Sequence, residues 1–441
     1  MRETFGSRLG TLATMVGVAV GLGNVWRFPY MAGKYGGASF VLIYVLGVLL
    51  IGIPALMAEW SLGRSTRLGT AGAYARAGLP GGRFWGWFLV CGILVAAGYY
   101  SNAIGWVAYH AVGQAMTLLG TPWDSAAILP PASGFDARSF GLQVLMTGGL
   151  VLTCGVLLLS GLRRGIERVS RWLMPVLVAS VLLVMVRALT LPGAGEGVAW
   201  YLFKFDPSAL TPAACLAGIG QAVFSLSLGG TFMVVYGSYL DPAEKLRSMA
   251  FWTAVGDLGA GLLAGLAILP AVIALGLEPA AGPGLIFSTL PQVFERLAFG
   301  GVFGLIFYAG LAAAAFLSVL AACEVVVVAL IDTWSLTRPQ AVARVVTGVL
   351  LVSIPPMVNL EIFVPWDLTF GSGLQTLGTL VAVVTVGWSM DRARVLEQFG
   401  GDHDPWNRRL YLWLRYVVPG VILLLGVWWV LTDVLGVLEG A

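Results

Sequence analysis

The chain alternates long apolar runs with short polar breaks, and each run is about as long as a bilayer is thick. A hydrocarbon core takes about 20 apolar residues per helix. On that ruler, spans fall near 8–33, 37–63, 84–118, 140–160, 168–188, 212–239, 249–276, 299–331, 340–358, 366–389 and 410–433. This predicts an all-α polytopic membrane protein of eleven helices. The breaks carry most of the Lys and Arg. With a cytoplasmic N-terminus, the inner segments hold Arg64, Arg67, Arg163, Arg164, Arg247, Arg392 and Arg408, while Arg138, Arg187, Lys204 and Arg296 fall outside. The positive-inside rule therefore predicts an inner N-terminus, and an odd helix number puts the C-terminus outside.

Two spans are interrupted by small residues: the first at Val18-Ala19-Val20-Gly21, the sixth at Ser225-Leu226-Ser227-Leu228-Gly229-Gly230. A broken helix exposes N–H and C=O groups that lipid cannot satisfy, so they turn to ions and polar ligands. Either break alone is also explained as a packing kink. Two breaks five helices apart, in oppositely oriented positions, predict an inverted repeat with a binding site at the midplane. The halves are then 1–190 and 191–395, with 396–441 as a further helix.

Composition narrows the function. Of 441 residues, 58% are hydrophobic and 11% charged, against about a quarter charged in soluble domains. The mean hydropathy is +0.88. A net charge of +3, thinly scattered, predicts no nucleic-acid partner. Cys91, Cys154, Cys215 and Cys323 lie singly in apolar runs, and His110 and His403 are the only histidines. Zinc and redox chemistry are set aside, and so is a membrane enzyme, which would need a base or metal ligands at mid-membrane.

The string Gly17-Val18-Ala19-Val20-Gly21-Leu22-Gly23-Asn24-Val25-Trp26-Arg27-Phe28-Pro29-Tyr30 resembles the neurotransmitter:sodium symporter family, whose bacterial members carry amino acids. Further matches are Gly52-Ile53-Pro54 with Glu59-Trp60 and Gly63-Arg64, Gly165-Ile166-Glu167-Arg168, Gly220-Gln221-Ala222-Val223-Phe224-Ser225-Leu226-Ser227-Leu228-Gly229, and Ala264 to Pro270. The resemblance implies a leucine-transporter-like 5+5 inverted repeat in the inner (plasma) membrane. It implies sodium-driven import of an amino acid by alternating access. A non-transporting sensor or channel on the same scaffold is the alternative, and sodium-dependent accumulation separates the two.

The resemblance also assigns roles. The first sodium site comprises the Ala19 carbonyl, Asn24, Ser225, Asp257 and the substrate carboxylate, hard oxygen donors suited to a hard cation. The fixed charge of Asp257 implies no chloride requirement. The second site would use carbonyls of Gly17, Val20 and Ala314 with Ser318. Leu317 stands where the family has a hydroxyl, so this site is expected to be weak or lost. Amides of Leu22 and Gly23, with the Tyr100 hydroxyl, suit the substrate carboxylate, and carbonyls near Ala19, Phe224 and Ser227 its ammonium. The side-chain pocket is Ala96, Tyr100, Phe224, Ser227, Gly230, Ser318, Ala321 and Ala322. Ala96, Gly230 and Ala322 are smaller than in leucine-selective relatives, which implies a bulky, preferentially aromatic L-amino acid. Charges within spans are functional by default: Arg27 with Asp367 is the expected outer gate, and Arg2 with Asp332 the inner one. Glu59 is expected to hold the broken sixth helix, and Glu324 to be a structural acid. The resemblance leaves the oligomeric state open.

Overall fold

A computed structural model describes residues 4–279 and 285–434. Among these the protein is helical, without strands. Nine helices are individually long and apolar enough to cross a membrane: Ala38–Thr66, Gly82–Leu118, Ala137–Leu159, Arg164–Leu189, Leu246–Ala274, Gly300–Trp334, Arg338–Met357, Leu360–Ser389 and Pro405–Thr432. These are the second to fifth and seventh to eleventh spans. The first span is a pair, Arg8–Ala19 and Gly23–Lys34, bent by 54°. The sixth is Pro212–Ser225 followed by Phe232–Ser238, of 14 and 7 residues. Neither sixth-span half is long enough to cross alone, so counting uninterrupted apolar length passes over it.

Both breaks lie where the small residues predict them. Ser7 starts the first helix by accepting the Gly10 N–H on its side chain, a typical N-cap. The helix stops at Ala19, after which Val20 is extended at φ −77° and ψ 117°. In the sixth span, Thr211 caps the N-terminus by accepting from the Ala214 N–H, with a proline following. That helix ends at Ser225, and Ser227, Gly229 and Gly230 then take φ of 50°, 154° and 68°. Side chains rarely adopt such values, whereas glycine does so readily.

The third and eighth spans, 37 and 35 residues long, pair most extensively with each other and form the centre. The eighth is 83% buried over its apolar window and the eleventh only 22%. The fourth and fifth expose large side chains such as Leu145, Val156 and Trp172, as a lipid-facing surface requires. Hydropathy does not anticipate the short helices Thr70–Arg76, Ala194–Leu202, Leu290–Arg296 and Arg392–Phe399, which lie in connections. Near the start of the first span, Glu167 of the fifth accepts from the Gly6 N–H at 3.0 Å, tying the two spans, and from Arg171 of its own helix at 2.8 Å.

Candidate functional site

The two breaks face one another across a cavity of about 60 Å³. Ala19, Gly23, Ala96, Tyr100, Phe224, Ser227, Ser318 and Ala322, all expected from the sequence, line it. Gly21, Ile93, Ala97, Tyr99, Ser225, Phe232, Gly371 and Gln375 line it too. Ile93 and Ala97 lie at helical spacing from Ala96 and Tyr100, so the 3.6-residue period could have found them. Gly371 and Gln375 are brought in by a π-helical run over Asp367–Gly373, which has no sequence signature. Leu22 meets the site through its backbone: its N–H donates to the Tyr100 hydroxyl at 3.1 Å.

Beside the cavity, four buried polar side chains from four spans converge. The Asn24 amide nitrogen donates to Ser225 Oγ at 2.8 Å and to Asp257 Oδ1 at 2.7 Å. Ser225 Oγ stands 2.8 Å from both carboxylate oxygens of Asp257. The Tyr44 hydroxyl donates to Asp257 Oδ2 at 3.1 Å and lies 3.0 Å from Ser225 Oγ. Asn24 Oδ1 accepts from the Gly21 N–H at 3.1 Å, closing the first-span break. An ionised Asp257 would be a charge in a membrane interior, touched here by neutral dipoles. Such a charge costs several kcal/mol unless paired. A monovalent cation would balance it with carboxylate, hydroxyl, carbonyl and amide oxygens, the donors a hard cation prefers. Tyr44 was missed by sequence reading, because one tyrosine in an apolar second span reads as packing.

Buried side chains also satisfy the freed backbone of the sixth span. Glu59 Oε1 accepts from the N–H groups of Gly229 and Gly230 at 2.9 and 2.8 Å. The Tyr74 hydroxyl donates to the Gly230 carbonyl at 2.8 Å. Ser227 Oγ donates to the Val18 carbonyl at 2.8 Å, joining the two breaks.

Two expected pocket residues lie elsewhere. Gly230 does not border the cavity: a β-carbon there would stand 2.1 Å from the Tyr74 hydroxyl and 2.6 Å from the Gly378 carbonyl. The glycine makes room for backbone, so it adds nothing to a ligand's space. Ala321 is fully buried and also absent from the lining. Of the second-site residues, Gly17, Val20 and Ala314 are buried at the junction of the first and eighth spans. A β-carbon on Gly17 would meet Leu317 Cδ1 at 3.1 Å and Met174 Sδ at 3.4 Å, so hydrocarbon and thioether sit against this turn.

Outside the cavity, the Arg27 guanidinium lies over the Phe224 ring, 4.4 Å from its centroid. Phe224 and Gln375 form a partition, since both border the cavity and a larger chamber lined by Arg27. Among the described residues no ion pair joins Arg27 to Asp367. Near the C-terminal end of the eighth span, Asp332 Oδ2 accepts from the Gly69 N–H at 2.7 Å. Arg67 donates to the Ser238 and Leu240 carbonyls, and Phe5 packs its ring on Tyr236 and Tyr239. The expected partner of Asp332, Arg2, lies outside the described residues.

Glu324 gains a partner that spacing could not reveal. It is fully buried, accepts from the Tyr239 hydroxyl at 2.6 Å and pairs with Arg338 at 2.7 Å. Arg338 belongs to the start of the ninth span, beyond a loop. Removing one partner of such a pair costs about 3–5 kcal/mol by stranding a charge. Arg338→Ala is therefore expected to lower the thermal unfolding temperature in detergent, and a second change, Glu324→Gln, to recover part of the loss. An equal loss in single and double variants would show that the pair is not its source.

The profile of the sodium:neurotransmitter symporter family matches residues 2–129 and 137–398. An uncharacterised sodium-dependent transporter of Haemophilus influenzae is 31% identical, over 96% of this chain and 97% of its own length. The uncharacterised sodium-dependent transporter YhdH of Bacillus subtilis is also 31% identical, over 95% of each chain. The crystal structure of MhsT in complex with L-phenylalanine superposes with a TM-score of 0.83 at 32% identity, covering 96% of this chain and 99% of that one.

Proposed function

The chain belongs to the sodium:neurotransmitter symporter family, and from that premise we propose that it imports a bulky, preferentially aromatic L-amino acid, driven by one sodium ion per substrate. It is a multi-pass membrane transporter with the leucine-transporter fold, not an enzyme. The observation that carries the proposal is the buried cluster of Asn24, Tyr44, Ser225 and Asp257 beside a cavity between two broken helices. An ion held there lies next to the seat of a substrate carboxylate, which supplies a further ligand and couples the two. The Leu22 N–H and Tyr100 hydroxyl, already hydrogen-bonded to each other, turn to that carboxylate. Asp257 provides the fixed negative charge, so chloride is dispensable. Residues 1–190 and 191–395 act as the inverted halves, with 396–441 beside them, in a plasma membrane with the N-terminus inside.

The bound L-phenylalanine of MhsT supports an aromatic substrate, as do the small residues Ala96 and Ala322 in the cavity wall. The cavity of about 60 Å³ is under half the roughly 150 Å³ of an apolar void that admits benzene. An aromatic side chain therefore enters with movement of Phe224 or Phe232. Uptake into proteoliposomes with an inward sodium gradient, challenged by each amino acid in turn, tests the reading. Tryptophan, phenylalanine and tyrosine should compete best and glycine worst. Binding without sodium-driven accumulation would make the protein a sensor.

Two variants test the parts. Arg27→Ala removes the cation stacked on Phe224, so transport should fall and bound substrate dissociate faster, with the protein still folded. Normal transport by that variant would dismiss the outer-gate role. For the second site, sodium activation of the wild type should have a Hill slope near one, and Leu317→Thr should steepen it by restoring an oxygen ligand. A slope near two that Leu317→Thr leaves unchanged would show that two ions already bind.

A further inference from the structure

The eleventh span is the least buried of the long helices, and two cavities lie along its contact with the tenth. One is an apolar groove of about 500 Å³ on the membrane side, walled by Phe370, Leu374, Leu377, Ile422 and Gly426. It reaches from Leu431 down to Ile422. At 1.5 Å per residue that is about 14 Å, close to half of a hydrocarbon core. The other is the chamber beyond Phe224, of about 380 Å³, whose charged lining residues are Arg27 and Lys34. No Asp or Glu lines either cavity. Among the described residues neither cation makes an ion pair; Arg27 lies over Phe224, and the Lys34 ammonium stands 5.2 Å from the Tyr35 ring centroid.

The two cavities abut, because Thr376 and Trp429 line both. At this shared wall the Trp429 indole lies against Gly373, and its Nε1–H is buried without a partner. An unpaired buried donor costs about 1–3 kcal/mol, so an acceptor placed there would be favoured. Lys34 is the last residue of the helix after the first-span break, and a lysine at the end of a membrane span reaches towards the lipid headgroups. A leaflet-long apolar groove thus adjoins, across an unsatisfied donor, a chamber whose lining carries two cations and no carboxylate.

We infer that this cleft between the tenth and eleventh spans binds an anionic phospholipid, with its acyl chain in the groove and its phosphate in the chamber beside Lys34. A zwitterionic lipid would bring an ammonium into a chamber that offers it no carboxylate. The lipid fills the thinly covered seam behind the eleventh span and closes the chamber from the bilayer side.

The test is native mass spectrometry of the delipidated full-length transporter, offered equal amounts of phosphatidylglycerol and phosphatidylcholine with the same chains. The wild type should retain phosphatidylglycerol several-fold over phosphatidylcholine. Lys34→Gln should abolish that preference. Gly426→Phe should reduce retention of both lipids by filling the groove; a side chain fits there, the nearest atom to a new β-carbon being Thr376 Cγ2 at 3.9 Å. Short-chain phosphatidylglycerol should raise the unfolding temperature, and glycerol phosphate should not. Equal retention of the two lipids, or an undiminished preference in Lys34→Gln, would overturn the inference. Stabilisation by glycerol phosphate equal to that by the lipid would overturn it in favour of a free-anion site. If Gly426→Phe fails to fold, the Lys34→Gln comparison decides.

Discussion

Asp257→Asn should raise the sodium concentration for half-maximal uptake by at least about 100-fold, equivalent to about 2.7 kcal/mol, or abolish uptake altogether. The residue is fully buried, and both its oxygens are held by groups from three other spans: Asn24, Tyr44 and Ser225. Asparagine keeps the shape and one carbonyl oxygen, so the fold should survive. It removes the charge that a buried cation needs, and it brings an N–H₂ towards donors that had been hydrogen-bonded to a carboxylate. The measurement is uptake against sodium concentration, with thermal unfolding as the check on folding. Wild-type uptake should be unchanged when gluconate replaces chloride. An unaltered sodium dependence in Asp257→Asn would remove this residue from the ion site.

Gly230→Ala is expected to prevent folding or to cost about 4–5 kcal/mol, the range of exceptional substitutions. Two effects add. The backbone φ of 68° disfavours a side chain by about 1–2 kcal/mol. The new β-carbon would also stand 2.1 Å from the Tyr74 hydroxyl and 2.6 Å from the Gly378 carbonyl, and the carbonyl belongs to backbone that cannot swing away. The hydrogen bonds from Gly230 to Glu59 and from Tyr74 to Gly230 would be lost with the displacement. Fluorescence-detected size-exclusion chromatography and thermal unfolding measure the outcome. A folded Gly230→Ala protein with a changed substrate ranking would instead return this glycine to the pocket.

The glycine shows where residue type misleads. A small residue within a break is equally consistent with an enlarged pocket and with close backbone approach, and only the neighbours distinguish the two. Ala96 and Ala322 are small and border the cavity; Gly230 and Ala321 are small and do not. Tyr44 is the opposite case, a side chain that looks like packing until the fold sets its hydroxyl on Asp257. Glu324 is a third: its burial was legible from the apolar run around it, but its partner Arg338 depends on how the eighth span turns into the ninth.

What the sequence by itself determined is the membrane-spanning helical class, the two breaks and the family, together with about half of the residues bordering the cavity. These follow from local physics: apolar length matches bilayer thickness, small residues and glycines release the helix, and the strings around the breaks are long enough to be specific. Only the tertiary structure decided which freed backbone group meets which side chain. It also decided that Gly230 serves the backbone, that Leu317 presents hydrocarbon to the first-span turn, and that Arg27 rests on Phe224. Those outcomes depend on the relative placement of helices far apart in the chain, where a shift of 1 or 2 Å separates a ligand from a packing neighbour. Helical periodicity gives the face a residue occupies, and the position of the helix opposite gives that face its chemistry.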